Sequence, residues 1–182
     1  MKPVFVLSLP RCRTAWLTMY LNGAGIYAFH EAWRHAKNAQ ELHQMMMNRG
    51  DVVVNVDSTN ALFYKELREE FPDAHYVRIV RDLESVSQSI EKSYGHVDAA
   101  LLIKWQQAVL DAEVDYEIPY HEWTPEVTKS LWKFLGGKWL DPYWHETAHY
   151  MKVELSWDRV CKDHILSTQT RDVDHIAAKL RN

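Results

Sequence analysis

Two arginines and a threonine follow the first apolar run of the chain within a few residues. Residues 4–8 read VFVLS and residues 9–14 read LPRCRT, so Arg11, Arg13 and Thr14 lie where a strand would give way to a helix. A guanidinium carries a planar fork of donors that suits phosphate or sulfate. The free N–H groups at a helix start also attract an anion. This turn is therefore predicted to bind a phosphate or sulfate group.

The same turn lacks the residues that two common phosphate-handling reactions require. The Walker pattern ends in Gly-Lys-Ser/Thr, whereas Arg13-Thr14 stands at that place here, which disfavours an ATPase or a kinase. A cysteine-based phosphatase loop needs an arginine six positions after its cysteine, and the residue six positions after Cys12 is Thr18. Cys12 is therefore predicted to be a loop residue rather than a nucleophile.

A second cationic turn follows the third apolar run. Residues 75–80 form that run, Arg81 comes directly after it, and Ser89 follows eight residues later in a helical pattern. In open α/β folds ligands collect at the carboxyl edge of the sheet, where Arg81 would lie. Ser89 would lie two helical turns further on, where its hydroxyl could reach the same anion; the alternative is a solvated helix face. Ser85 and Ser87 are predicted to belong to a solvated helix face.

His30 and Glu31 carry side chains that could move a proton, although a lone His or Glu on a loop is usually a surface residue. They stand in the stretch FHEAW at residues 29–33, after the first predicted helix. Burial or a neighbouring arginine can tune either side chain to act as a general base. Asp57 follows the second apolar run and would lie at the same sheet edge, where it could touch an acceptor. The pattern around Asp57 favours a helix cap.

A separate motif near the C-terminus reads His145-Glu146-Thr147-Ala148-His149. On a helix this spacing places two histidines on one face with a glutamate beside them, as in zinc proteases. With ten histidines in the chain, such a motif also arises by chance, and Glu154, Asp163 and His164 are only guesses for a third ligand. A zinc-dependent hydrolase stays open as an alternative, beside an amphipathic helix with partly exposed histidines.

Four β-rich runs and five helical patterns must position these residues. Near-continuous apolar runs predict strands buried on both faces, as in a parallel sheet, at residues 4–8, 52–56, 75–80 and 114–118. Helical patterns occupy residues 14–21, 39–48, 60–71, 82–94 and 124–135. Asp82 and Thr124 are predicted helix caps. The alternation predicts an α/β three-layer fold with a mostly parallel central sheet, in one domain spanning residues 1–182.

Composition narrows the class of protein. The chain has 182 residues, 47% of them hydrophobic, and a formal net charge of −4. These values predict a folded domain that binds neither nucleic acid nor a membrane surface. Two cysteines are too few for a disulfide framework, so free thiols in a reducing cytosol are predicted. No apolar stretch reaches the length of a signal-peptide core or a membrane span, so we expect a cytoplasmic protein.

The two turns resemble those of the sulfotransferases that use 3′-phosphoadenosine 5′-phosphosulfate (PAPS). The 5′-phosphosulfate loop of that family reads Pro-Lys/Arg-Ser-Gly-Thr-Thr/Ser-Trp/Leu-Leu, and this chain matches it at Pro10, Arg11, Thr14, Trp16 and Leu17. The 3′-phosphate motif of the family pairs a strand-end arginine with a serine eight residues later, as Arg81 and Ser89 are spaced here. A Tyr-Glu strand and a helix closing on Phe-Leu-Gly extend the resemblance over about residues 3–137.

The resemblance implies a P-loop-like fold, PAPS as the sulfuryl donor and 3′-phosphoadenosine 5′-phosphate (PAP) as the product, with no metal. It implies a small-molecule or carbohydrate acceptor with a hydroxyl or amine. Some smaller relatives carry a catalytic glutamate in the region of Glu31, which makes Glu31 the first choice for the base and His30 the second. Arg11 is assigned to catalysis as well as to donor binding. The implied donor contacts are Arg11, Cys12, Arg13, Thr14, Ala15, Trp16, Arg81 and Ser89.

Three positions depart from the family pattern. Arg13 stands where relatives carry a glycine, whose backbone freedom an arginine lacks. Ala15 lacks a hydroxyl, and Leu83 replaces a frequent proline. The first two departures keep open a nucleotide-binding protein that has lost its chemistry. An aromatic or carbohydrate pocket is one use for the tryptophans, although core packing is predicted for most of Trp33, Trp105, Trp123, Trp139 and Trp144.

Overall fold

Five parallel strands form the centre of the computed structural model, which describes residues 1–151. The strands are β1 (Lys2–Ser8), β2 (Tyr27–His30), β3 (Val52–Val56), β4 (His75–Val80) and β5 (Tyr116–Pro119). Their order in the sheet is β2-β3-β1-β4-β5, and every neighbouring pair runs parallel. The predicted α/β fold with a mostly parallel sheet is therefore confirmed.

Seven α-helices connect and cover the strands. They are α1 (Thr14–Gly23), α2 (Ala39–Met46), α3 (Tyr64–Glu70), α4 (Leu83–Tyr94), α5 (Ala99–Asp111), α6 (Pro125–Phe134) and α7 (Pro142–Tyr150), within residues 1–151. Two predicted caps are present: the Asp82 carboxylate accepts from the Ser85 N–H at 2.7 Å, and the Thr124 hydroxyl accepts from the Val127 N–H at 3.4 Å. None of the helices in this range is long and apolar enough to cross a membrane.

The sheet separates two hydrophobic cores, because successive side chains of a strand point to opposite faces. In β1, Val4 and Val6 pack with α1, α6 and α7 on one face. Phe5 and Leu7 pack with α2 and α3 on the other face. All four side chains are at most 1% exposed. A strand buried on both faces is what the near-continuous apolar run predicted, and it gives the three layers.

Several element boundaries differ from the sequence prediction. Strand β2 and helix α5 were not predicted at all. The helix expected over residues 60–71 begins as a 3₁₀ turn, Ser58–Phe63, before α3 takes over. The strand expected over residues 114–118 starts at Tyr116. One residue earlier, the Asp115 carboxylate accepts the Tyr76 N–H at 2.8 Å and the Asp115 N–H donates to the Tyr76 carbonyl at 2.9 Å.

The carboxyl ends of all five strands meet at one edge of the sheet, since the strands are parallel. The segments that follow β1, β2, β3, β4 and β5 carry Arg11, Glu31, Asp57, Arg81 and Tyr120, respectively. This edge therefore gathers the cationic turns and the candidate acid–base residues, as expected for the ligand-binding edge of an open α/β sheet.

Candidate functional site

The turn between β1 and α1 has an unusual backbone. Arg11 and Arg13 both lie in the left-handed region, with φ values of 65° and 60°. Arg13 is the residue before α1, and its carbonyl accepts the Leu17 N–H at 2.9 Å, which closes the first helical turn. Both arginines are exposed, whereas Cys12 between them is completely buried. The turn therefore presents two cations and the start of a helix to solvent at the same place.

Arg11, Arg81 and Ser89 are linked by hydrogen bonds in the structure, so the turn after β1 and the predicted Arg81–Ser89 site lie next to each other. The Arg11 Nε donates to the Ser89 Oγ at 3.1 Å. The Arg81 Nη1 donates to the Arg11 carbonyl at 2.6 Å. These contacts join the turn after β1 to the end of β4 and to helix α4, across 70 to 78 residues of sequence.

Two polar atoms at this edge are buried without a hydrogen-bond partner among residues 1–151. They are the Arg81 Nε and the Ser8 Oγ at the end of β1. A buried donor that lacks a partner costs free energy, about 1–3 kcal/mol, and more when the donor is charged. An anionic ligand between the two turns would supply acceptors, so the residues present fit a phosphate or phosphosulfate group.

Tyr120 also belongs to this edge, and the sequence analysis missed it. The Arg81 guanidinium lies 4.3 Å from the centroid of the Tyr120 ring, a cation–π contact that fixes its direction. Tyr120 follows β5 directly. Its position immediately after a predicted strand was the available signal, because every parallel strand end reaches the same edge.

His30 lies beside the donor turn at the end of β2. Its Nε2 is 3.2 Å from the Oγ1 of Thr14, which is the first residue of α1. The Thr18 hydroxyl, one turn further along α1, donates to the Thr14 carbonyl at 3.0 Å and to the Phe29 carbonyl at 3.4 Å. These bonds hold the end of β2 against the start of α1, so His30 and Thr14 lie next to each other in the site.

Glu31 and Asp57 are both engaged with other residues. Glu31 forms a 2.8 Å ion pair with Arg34, and both side chains are 37% exposed. Asp57 is only 2% exposed, and burial raises the pKa of its carboxyl, while hydrogen bonds from Thr59 and Trp33 act in the opposite direction. Its Oδ2 accepts the Trp33 N–H at 3.1 Å and its Oδ1 the Thr59 N–H at 2.9 Å. The predicted role of Asp57 as a cap is confirmed by the second contact.

Asn60 ties the acid–base segment to the centre of the sheet. It is fully buried, and its Nδ2 donates to the Val6 carbonyl at 3.0 Å and to the Asn55 carbonyl at 2.9 Å. Its Oδ1 accepts from the Trp33 Nε1 and from the Asn55 Nδ2, both at 2.8 Å. This network connects β1 and β3 to the turn that carries Glu31, and it gives the site a rigid floor.

The other residues assigned to donor binding lie in or beneath the same turn. Burial raises the pKa of the Cys12 thiol to about 12, which keeps it protonated and unreactive. Trp16 is 5% exposed and donates from its Nε1 to the Ala148 carbonyl at 2.9 Å. The Arg13 guanidinium lies 5.7 Å from the centroid of the Trp16 ring. Ala15 is half-buried in the first turn of α1.

The histidine motif of α7 packs against α1. The Tyr20 hydroxyl hydrogen-bonds the His145 Nδ1 at 2.8 Å, and the His149 ring centroid lies 5.2 Å from that of Trp16. Burial lowers the pKa of both histidines, which favours their neutral forms. Within the described residues, no group of three or more His, Cys, Asp or Glu side chains could hold a metal. Glu154, Cys161, Asp163 and His164 lie outside those residues.

Comparison with solved structures gives matches to several P-loop-like proteins. A mouse sulfotransferase, SULT7A1 complexed with PAP, aligns with a TM-score of 0.56 and 16% identity over 87% of this chain and 66% of its own. The YorR protein of Bacillus subtilis, in complex with phosphorylated GDP, aligns with a TM-score of 0.55 and 8% identity over 74% of this chain and 96% of its own. A gluconokinase from Sinorhizobium meliloti 1021 aligns with a TM-score of 0.51 and 15% identity over 74% of this chain and 91% of its own. At these identities the matches show the fold alone.

Comparison by sequence is more specific. No curated protein matches the chain. The family described as "Sulfotransferase domain" matches residues 3–172, which is nearly the whole chain and extends past the 3–137 range of the motif resemblance. Because the match includes both cationic turns and all five strands, the chain belongs to the sulfotransferase domain family, and its chemistry is sulfuryl transfer.

Proposed function

We propose that this protein transfers the sulfuryl group of PAPS to a hydroxyl or amine of a small-molecule or carbohydrate acceptor, and releases PAP. The observation that carries the proposal is the meeting of Arg11, Arg81 and Ser89 at the carboxyl edge of the sheet. A donor with both a 5′-phosphosulfate and a 3′-phosphate needs cations on two neighbouring turns. The two turns of this chain supply them.

The turn after β1 is the proposed 5′-phosphosulfate site. Arg11, Arg13, the Thr14 hydroxyl and the N–H groups at the start of α1 are the donors available there. Negative charge grows on the nucleotide side as the sulfur–oxygen bond to the phosphate breaks, so positive charge at Arg11 stabilises the transition state more than the ground state. Arg11 therefore serves both donor binding and catalysis, and arginines replace the metal that many phosphoryl-transfer enzymes use.

The end of β4 and helix α4 form the proposed 3′-phosphate site. The Arg81 Nε is a buried donor without a partner within the described chain, and Ser89 supplies a hydroxyl. The Tyr120 ring contacts the Arg81 guanidinium at 4.3 Å and keeps it in place. A 3′-phosphate at this point would accept from both side chains.

We propose His30 as the general base, ahead of Glu31. His30 lies 3.2 Å from Thr14 and so reaches the place where donor and acceptor must meet. Glu31 is paired with Arg34, and its left-handed backbone, with a φ of 55°, turns the chain away from β2. The imidazole would take the acceptor proton as the acceptor oxygen or nitrogen attacks sulfur.

The nucleotide specificity tests the donor proposal. In calorimetric titration the protein should bind PAP more tightly than AMP by about 1–3 kcal/mol, the usual worth of hydrogen bonds to a charged group. Ser89→Ala should reduce this preference. Ser87→Ala removes a hydroxyl from the same helix and should leave the preference unchanged. Equal affinity for PAP and AMP in the unaltered protein would contradict the 3′-phosphate site.

Transfer of labelled sulfate from PAPS to a panel of hydroxyl and amine compounds tests the catalytic part. Transfer to at least one acceptor supports the enzyme, and the panel then defines the acceptor class. A protein that binds PAP tightly but transfers sulfate to no acceptor would instead match the alternative of a nucleotide-binding protein without chemistry, for which Arg13 and Ala15 gave the reason. The two experiments together separate donor binding from turnover.

A further inference from the structure

Trp139 differs from the other tryptophans that could line a pocket. Trp33, Trp105, Trp123 and Trp144 are buried or half-buried, as core packing predicts. Trp139 is 72% exposed. A single exposed aromatic residue is common on protein surfaces, so Trp139 matters here because it also lines a cavity.

A cavity of about 390 Å³ lies beside Trp139. Its walls come from residues 24–27, 49–52 and 136–139, at the starts of β2 and β3 and after α6. This is the amino edge of the sheet, so the length of β1, roughly 20 Å, separates the cavity from Arg11. The volume falls within the ~300–1,000 Å³ range of ordinary small-molecule pockets. The cavity is therefore distinct from the proposed donor site.

The walls are fixed before any ligand binds. Gly137 packs flat against the Trp132 ring, so close that an added Cβ would lie 2.0 Å from the Trp132 Cε2. The Gly137 N–H also donates to the Trp132 carbonyl at 3.1 Å. At the start of β2, the Asn22 side chain accepts the Ala28 N–H at 3.0 Å and donates to the Ala28 carbonyl at 2.9 Å. Preformed walls lower the entropy cost of binding.

The side chains of the cavity combine aromatic faces with positive charge. Tyr27 is 37% exposed, and the Arg49 guanidinium lies 5.7 Å from its ring centroid. Lys138 and Asp51 pair with each other at 3.0 Å, which leaves the charge of Arg49 as the net charge of the cavity. An arginine fork binds carboxylate or sulfate in a bidentate manner. Flat aromatic rings pack against the apolar face of a sugar ring.

We propose that this cavity is an auxiliary binding site for an anionic saccharide, that is, a sugar that carries a carboxylate or a sulfate. Trp139 and Tyr27 would contact the sugar ring, and Arg49 would bind the anionic group. The proposal goes beyond the transfer reaction and does not depend on the donor assignment, because binding at this edge needs no PAPS.

Nuclear magnetic resonance of the tryptophan indole N–H groups provides a direct test. The Trp139 signal is the one that disappears in Trp139→Ala, and the persistence of the other indole signals shows that this variant is folded. We expect glucuronic acid and N-acetylglucosamine 6-sulfate to shift the Trp139 signal saturably. The shift should persist in Arg11→Ala, which weakens anion binding at the donor turn.

Matched variants and ligands decide the outcome. Arg49→Gln should weaken binding of the charged sugars at least tenfold, whereas Tyr143→Ala, which removes a 76% exposed aromatic residue outside the cavity, should not change it. Unsubstituted N-acetylglucosamine should bind at least tenfold more weakly than its 6-sulfate. The proposal is overturned if no sugar shifts the Trp139 signal, or if inorganic sulfate or AMP binds as well as the charged sugars.

Discussion

Replacing His30 by asparagine should slow sulfate transfer while leaving donor binding nearly unchanged. Asparagine retains a polar side chain next to Thr14 but cannot take a proton at neutral pH. If His30 is the general base, transfer should fall by roughly 10²–10⁴-fold, the usual contribution of general acid–base catalysis. PAP affinity should stay within about fivefold, because a net hydrogen bond is worth about 1 kcal/mol.

The contacts of His30 set the size of the effect that a merely structural role would produce. A fall of 10²–10⁴ corresponds to about 2.7–5.4 kcal/mol, at 1.36 kcal/mol for each factor of ten. Loss of the 3.2 Å contact between His30 and Thr14 would cost about 0.5–1.5 kcal/mol, which is roughly 2- to 13-fold. A fall of more than a hundredfold is therefore too large to come from the lost hydrogen bond alone.

Glu31→Gln is the matched variant, since it removes the charge of the adjacent residue and keeps its shape. The ion pair of Glu31 with Arg34 is more than one third exposed on both sides. Such pairs contribute about 0–1 kcal/mol, so transfer should fall less than about fivefold. The two substitutions should thus differ by at least an order of magnitude.

Single-turnover transfer from labelled PAPS measures the chemical step, and calorimetry with PAP measures donor binding in the same variants. Circular dichroism verifies that each variant is folded. A large loss in Glu31→Gln together with a loss below about tenfold in His30→Asn would refute the assignment of His30 and restore Glu31. If both variants keep full transfer, Asp57→Asn is the next substitution to measure.

Three further predictions concern stability, thiol reactivity and metal. Asn60→Ala should lower the free energy of unfolding in urea by about 2–6 kcal/mol, because it leaves two buried donors without acceptors; a loss below ~1 kcal/mol would contradict the network. Iodoacetamide at pH 8 should not modify Cys12 in the native protein, because burial raises its pKa to about 12, but should modify it in urea; peptide mass spectrometry distinguishes it from Cys161, and rapid native labelling would refute the burial argument. Chelators should leave PAP binding and transfer intact, whereas stoichiometric zinc that is lost together with activity would restore the zinc interpretation of His145 and His149.

Local patterns predicted most of the fold and the meeting of the two cationic turns. Apolar runs marked the strands β1, β3 and β4, and Asp82 and Thr124 marked helix starts, because both signals depend on neighbouring residues only. The proximity of Arg11 and Arg81 could be predicted although seventy residues of sequence separate them, because the carboxyl ends of parallel strands lie at the same edge of the sheet.

Of the two elements that were missed, strand β2 lacks such a local signal, whereas helix α5 begins after an Asp98 cap that the sequence analysis did not use. Strand β2 has only four residues, of which Tyr27 is exposed, so it forms no continuous apolar run. Helix α5 is apolar on both sides because it contacts both cores, through Leu102 on one face of the sheet and Val109 on the other. The preference for His30 over Glu31 as the base depends partly on the positive φ at Glu31, which the types of the adjacent residues do not reveal.

Relatives carry a glycine at position 13, and an arginine lacks the backbone freedom of glycine. In the structure, Arg13 nevertheless adopts the left-handed backbone that a glycine at this place would permit. Such a conformation costs a residue with a side chain roughly 1–2 kcal/mol. Burial of Cys12 and the bond from Arg81 to the Arg11 carbonyl hold the turn in place against this strain. Backbone strain of this kind clusters at functional sites, and we expect Arg13 to add a cation to the turn while keeping the left-handed backbone at this position.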